Sequence, residues 1–355
     1  MSEPFYHLPE DLAADIETYA QDVKRFETDE IPVGVFKAKR VPRGVYEQRQ
    51  DGTYMVRVRV AGGALANEQA RELAALSTEF GNGLLHVTTR QDVQLHGISI
   101  ADTPAIMRRL MAVGLTSKGG GGNTVRNITA CPYAGICPHE SFDVTPFAHA
   151  VTEYLIPLIG SYNLPRKYKI AFSGCAADCA LAQVSDLGFV AEVRDGVPGF
   201  RVLAGGGMGG NSRVGDELLS WTPATQVIRI AESIRRLFDK HGDRTNKNRA
   251  RLRFVFECLG LAAIKQQFAE LMDTVSAEGV PEWRGDVSLH AAVETAPTSV
   301  PQKELVGDAW AVRQRQNGLV SVPLHLPLGF IPAGEFARIG DIAAKFSEEQ
   351  GPRTM

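Results

Sequence analysis

Leu12, Ile16, Tyr19 and Val23 fall three or four residues apart in PEDLAADIETYAQDV, the spacing of one face of a helix. From residue 53 to 113 the patterning changes several times. A strand, TYMVRVRV, is followed by a helix, NEQARELAALSTEF, then by the strands LLHVTT and VQLHGISI, then by another helix. Thr103-Pro104, Thr145-Pro146 and Thr222-Pro223 each predict a helix start, with a hydroxyl at the N-cap and proline in the first turn. Gly114, Gly160 and Gly242 stand where those helices should stop. A hairpin is expected in LGFVAEVRDGVPGFRVL, turning at Asp195-Gly196.

This order predicts an α/β (α+β) protein: a helical extension over 1–44, a ferredoxin-like α/β half domain over 45–114, a second α/β domain over 115–280 and a linker over 281–309. The remaining 310–355 begins to repeat the start. QRQDGTYMVRV at 48 returns as QRQNGLVSVPL at 314, and Leu73, Leu76 and Phe80 match Ile339, Ile342 and Phe346. Agreement over a strand, a helix and its apolar face favours a duplicated domain. Thr88 and Thr89 correspond to Thr354 and Met355, so the second copy is expected to be incomplete.

Composition adds exclusions. A chain of 355 residues with 22% charged and 44% apolar residues is ordinary globular material. A net charge of −3 gives no reason to expect nucleic acid or an anionic membrane as partner, and no apolar run reaches the length of a bilayer span. The acidic N-terminus lacks the regions of a signal peptide, and five cysteines without an export signal point to reduced thiols in a cytoplasm.

Four of those thiols form a pattern, Cys131 and Cys137 in ACPYAGICP and Cys175 and Cys179 in SGCAADC. Two close pairs of soft ligands suit an iron–sulfur cluster or zinc, although the five-residue gap is wide for a zinc ribbon. The alternative is buried small hydrophobes, the common fate of free cysteine and the expectation for Cys258 in the apolar strand FVFECLG. His86, His96 and His139 lack partners at metal-ligand spacing and read as structural or surface residues.

Cations lead into the same region. In RKYKIAF, read as a strand, Lys167 and Lys169 share a face opposite Tyr168, Ile170 and Phe172. Arg90 ends LLHVTTR, and Arg126 follows four glycines whose amides, beside an arginine, would cradle an anion. One cation about 4 Å from an anion contributes on the order of 4 kcal/mol at an effective dielectric of 20. A solvated face is the plain alternative for the lysines.

HVTTRQDVQLHG, GGGGNTVRNITACP, NLPRKYKIAFSGC and the two cysteine pairs resemble the siroheme-dependent nitrite and sulfite reductases over residues 45–275 and again from 310. The resemblance implies a siroheme/4Fe-4S-type domain over 115–280, and siroheme and a [4Fe–4S] cluster as cofactors. It also implies six-electron reduction of sulfite to sulfide or nitrite to ammonia, with an external donor such as ferredoxin or a flavoprotein. Arg90, Arg126, Lys167 and Lys169 match the cations around the substrate anion. The resemblance also implies cofactor binding by Asn127, in the same motif as Arg126, and by Gly205, Gly206, Gly207 and Arg213, in AGGGMGGNSRVG. In well-understood members the cluster cysteines lie in the second half, whereas here they share the first half with the cations. Cys131, Cys137, Cys175 and Cys179 therefore either bind a cluster or are symmetry counterparts of ligands elsewhere. Two other classes stay open: a non-catalytic subunit giving half a site to a partner chain that supplies the second half, and a zinc-stabilised interaction module.

Overall fold

The computed structural model describes residues 5–289, 304–306, 309–347 and 352–354. The chain divides into two units, one of Met1–Asn127, Leu155–Asn163 and Leu326–Met355, the other of Ile128–Tyr154 and Leu164–His325.

In the first unit a five-stranded antiparallel sheet runs in the order Val45–Glu47, Tyr54–Val58, Val93–Ile98, Leu84–Val87, Phe330–Pro332. Tyr54, Val56 and Val58 alternate inward along their strand, and they join Leu73 and Leu76 of the helix Asn67–Phe80 and Ile106 and Leu110 of the helix Thr103–Ala112 in one core. The helices Leu12–Glu27 and Val33–Arg40 add Leu12, Ile16, Tyr19, Val23 and Phe36. Residues 115–127, expected in the second domain, pack here instead. Arg59 N donates to Thr116 O, and the Arg59 side chain reaches Lys118 O and Val125 O.

The repeat is visible in the backbone. The helix Ala333–Phe346 begins and ends 266 residues after Asn67–Phe80, and the 3-10 turn Pro327–Gly329 stands at the same offset from Ala61–Gly63. Leu328 (φ 55°, ψ 17°) even takes the left-handed conformation of Gly62 (φ 62°, ψ 7°). The pieces are exchanged: Phe330–Pro332 extends the first sheet at Leu84–Val87, while Ala64 bridges Arg353 and Thr354 Oγ1 donates to Gln91 O at 2.9 Å.

The second unit holds a five-stranded sheet in the order Thr129–Ala130, Ile170–Ser173, Leu187–Arg194, Val197–Ala204, Asp216–Pro223. The first three strands are parallel and the last two return as hairpins, the first turning at Asp195-Gly196 as expected. Phe172, Phe189 and Phe200 interlock at its centre, and the helices Val227–His241, Leu252–Leu259 and Leu261–Ala277 accompany it. A separate three-stranded sheet joins Glu304–Val306, Ala309–Arg313 and Val320–Ser321.

Several local expectations give way. Thr222-Pro223 ends a strand rather than opening a helix, because Thr222 pairs with Phe200, and the helix starts at Val227. Thr103 is already helical, and its hydroxyl donates back to Ile100 O rather than capping. Gly160 lies in a 3-10 turn, the helix Thr145–Leu155 having stopped before it. FVFECLG is helical, and Cys258 is exposed; a short apolar run does not separate strand from helix by period alone. At the start of the expected linker, Trp283 is buried against Phe147 and its N–H donates to Thr225 O, while residues 290–303 lie outside the described residues. Among the described residues no helix is long and apolar enough to cross a membrane.

Candidate functional site: four thiols and an arginine cluster

Two neighbouring parallel strands deliver the cysteines. Thr129 pairs with Ala171 and Ala130 with Phe172, so both strands end at the same edge of the sheet, and Cys131 N donates to Phe172 O at 2.8 Å. The chain reaches Cys131 directly after Ala130 and Cys175 one glycine after Ser173. A Cβ at Gly174 would come within 3.2 Å of Glu140, which keeps that position small. The turns that follow bring in the other two thiols: Cys137 N donates to Tyr133 O at 2.8 Å, and Asp178, in the left-handed region, bonds Ser173, Ala182 N and Gln183 N through its buried carboxylate.

The result is a cross-paired set. Cys131 lies beside Cys179, and Cys137 beside Cys175, close enough for each pair to shift one another's titration. Within each pair one thiol is driven up and its partner down. Cys131 and Cys137 are raised by the neighbouring thiol and then by burial, while the same proximity lowers Cys179 and brings Cys175 to about 7. Among the described residues no three His, Cys, Asp or Glu side chains are gathered closely enough to hold a metal ion. Four thiols in two adjacent pairs, three of them buried, are the ligand type and number that a [4Fe–4S] cluster takes.

The arginines collect in the other unit around a buried carboxylate. Burial pushes Asp92 above its usual range, against the pull of Arg57, Arg90, Arg59 and Arg126. Arg59, 1% exposed, donates to Lys118 O, Val125 O and Arg126 O and so fixes the glycine-rich segment before Arg126. Arg126 donates through Nη1 to Gly120 O at 2.8 Å. Its Nε is buried with no hydrogen-bond partner among the described residues, and burial lowers its pKa below the usual guanidinium value. A buried guanidinium with an unused donor suits an anion.

Residues 121–275 match the family described as "Nitrite and sulphite reductase 4Fe-4S domain", and residues 46–113 match "Nitrite/Sulfite reductase ferredoxin-like half domain". The chain belongs to the nitrite and sulfite reductase family. Among its relatives, the assimilatory ferredoxin-dependent nitrite reductase of Haloferax mediterranei is 31% identical over 322 residues, 85% of this chain and 54% of that protein. The ferredoxin–nitrite reductase of Synechococcus elongatus is 32% identical over 304 residues, covering 82% and 55%. The chain thus spans about half the length of these relatives. The Mycobacterium tuberculosis NirA protein superposes with a TM-score of 0.75 at 25% identity, over 96% of this chain and 64% of that one.

Family motifs settle differently in the two units. Lys167 and Lys169 are half-buried in the segment leading into the strand, which begins only at Ile170. Tyr168, Ile170 and Phe172 are buried as expected, but so are Ala171 and Ser173, because this strand is central. Lys169 is placed through its backbone, its N–H donating to Asp186 Oδ2 at 2.9 Å; Asp186 is fully buried and paired with Arg251.

Three expectations about glycine and amide donors change. The amides of Gly119, Gly120 and Gly122 bond Pro42 O, Ser117 O and the Tyr46 hydroxyl, so those three are spent inside the protein rather than on an anion. The amides of Gly205 and Gly207 likewise bond Asp186 O and Arg213 O, and Arg213 holds Asp216 at 2.7 Å. Gly205 serves packing: at φ +76°, a Cβ would strike the Phe256 ring at 2.6 Å. Asn127 spends its amide nitrogen on Val60 O and Arg90 O, which makes it a brace for Arg90. Arg57, Arg59 and Asp92 were missed. The signal was the alternation in TYMVRVRV, which puts two arginines on one side of a strand whose other side is core.

Proposed function

We propose that the protein reduces nitrite to ammonia by six electrons, using siroheme and a [4Fe–4S] cluster, with sulfite as the alternative anion. The observation that carries this reading is the meeting of Cys131 with Cys179 and of Cys137 with Cys175 at the ends of two parallel strands inside the matched 4Fe-4S region. Nitrite and a ferredoxin donor are favoured because the relatives named above are ferredoxin-dependent nitrite reductases. The reduced thiols fit a reducing compartment such as the cytoplasm.

Siroheme and the cluster together would supply one-electron chemistry and an iron to receive the anion. This chain's residues supply the rest. Cys131, Cys137, Cys175 and Cys179 ligate the cluster. Arg90 and Arg126 bind anionic groups, whether the carboxylates of the tetrapyrrole or the substrate, and the unused Nε of Arg126 supports that role. Lys167 and Lys169 hold the substrate anion, and as ammonium groups they are its proton donors. Arg213 and Gly205–Gly207 shape the end of their strand, the amides of Gly205 and Gly207 and one Arg213 guanidinium nitrogen being engaged within the protein. The relatives' length favours a second reading alongside this one, in which the second half of the site comes from further chain or from a partner.

Anaerobically purified protein should carry about four iron and four acid-labile sulfide per chain, and Cys175→Ser should abolish both. One zinc per chain without sulfide would defeat the reading. In the enzyme complete with its second half, Lys169→Ala and Arg126→Ala should each remove about 2.7–4 kcal/mol of transition-state stabilisation with the fold intact. Undiminished turnover would return these residues to a solvated face.

A further inference from the structure

The repeated QRQ motif does different work in its two places. In the first copy it serves its own sheet: the Gln48 side chain accepts from Gly97 N at 2.8 Å and pairs with His96 Nδ1 at 3.0 Å. In the second copy the turn between Ala309–Arg313 and Val320–Ser321 grips the loop between Cys131 and Cys137. Arg315 N donates to Ile136 O at 2.9 Å, Arg315 Nε to Gly135 O at 3.0 Å, and Gln316 Nε2 to the same oxygen at 2.9 Å.

The loop answers with a charge. Gly135 N donates to Glu140 Oε2 at 2.9 Å, and Glu140 Oε1 lies 3.5 Å from Arg315 Nε. The Glu140 side chain is completely buried, and its stem leaves room only for a glycine at Gly174, the residue before Cys175, so one residue lies between the two cysteine loops. Removing a cation from beside a buried carboxylate strains whatever holds it. Gly135 itself, at φ +82°, sits in a conformation other residues rarely adopt, and its neighbours must fix it there.

We propose that the hairpin formed by Ala309–Arg313 and Val320–Ser321 is a clamp on the Cys131–Cys137 loop, with Arg315 a positioning residue that balances Glu140 and keeps the thiols in place for their cluster. The proposal rests on the cluster reading above and adds a dependence of cluster retention on the second repeat. Outer-shell partners of metal ligands commonly govern affinity by 10–100-fold.

The test uses Arg315→Gln, Glu140→Gln and the double variant in the anaerobically purified full chain. Arg315→Gln should speed iron release to a chelator on the order of tenfold and move the cluster's midpoint potential negative, since a neighbouring cation is gone. Glu140→Gln should move the potential positive, because a neighbouring negative charge is gone, while its amide oxygen still accepts from Gly135 N and keeps the loop in place. The double variant should release iron more slowly than Arg315→Gln alone. Wild-type release from Arg315→Gln, or losses that simply add in the double variant, would overturn the proposal. Amide hydrogen exchange at residues 134–137, followed in cluster-free protein, decides the clamp separately. Faster exchange in Arg315→Gln supports it and unchanged exchange refutes it. A wild-type chain holding neither iron nor sulfide defeats the cluster reading alone, and the exchange result still stands.

Discussion

Leu76 and Ile342 occupy the same place on two helices 266 residues apart, yet Leu76 is fully buried and Ile342 is 55% exposed. The helices share their boundaries and the left-handed turn before them, and they pack against each other where a Cβ at Gly340 would meet Ala70 at 3.2 Å. The preceding hairpins agree as well: Gln48 N bonds Thr53 O and Gln314 N bonds Leu319 O, with Tyr46 paired to Met55 and Val312 to Ser321. The difference is in what covers them. The helix Asn67–Phe80 lies on the strands Leu84–Val87 and Val93–Ile98, whereas the described residues put no further strands of the second copy beneath Ala333–Phe346. Identical local geometry has been specified twice; the second helix buries Ala333, Phe336 and Gly340 but leaves Ile342 and Phe346 exposed.

The sharpest way to break this comparison is a matched pair of truncations. Leu76→Ala should cost about 2–5 kcal/mol, the range for a buried leucine, and Ile342→Ala about 0.5 kcal/mol or less. Urea unfolding measures both, and equal losses would mean that Ile342 is covered in solution. Next comes the shared left-handed residue. Gly62→Leu should cost more than the ~1–2 kcal/mol of a left-handed side chain, because Gly62 is buried, while Leu328→Gly, at a position 89% exposed, should recover about 1–2 kcal/mol. A destabilised Leu328→Gly protein would show that the leucine side chain has a partner.

The gentlest effect belongs to Asp92, which has no counterpart in the second copy among the described residues. Its pKa is raised by burial despite four arginines. A raised carboxyl contributes stability below its unfolded pKa, and that stability is lost as pH rises through the folded value. Asp92→Asn should therefore gain on the wild type between pH 4 and its raised pKa. A gain that shrinks with rising pH would mean that the arginines outweigh burial.

Much of this was legible from periodicity and spacing. The strand–helix–strand–strand–helix order, the Asp195-Gly196 turn and the repeat offset all follow from local rules that a few residues satisfy by themselves. The C-x5-C and C-x3-C pairs could be read as candidate soft-metal ligands for the same reason, since ligand type and spacing are local. Cys258 was misjudged because an apolar run of seven residues fits a buried strand and a packed helix equally well, and only its neighbours choose.

What the sequence determined by itself is the set of elements, their duplication and the kinds of donor available. Tertiary structure alone decided which donors remain free. Glycine amides that looked like an anion cradle are spent on Pro42, Ser117 and Tyr46, while Arg126, among glycines in the sequence, keeps a buried N–H in reserve. It also decided that the thiols cross-pair, Cys131 with Cys179 and Cys137 with Cys175, through the parallel register of two strands some 40 residues apart. Hydrogen-bond satisfaction and burial depend on what distant segments bring alongside, and no local pattern encodes that.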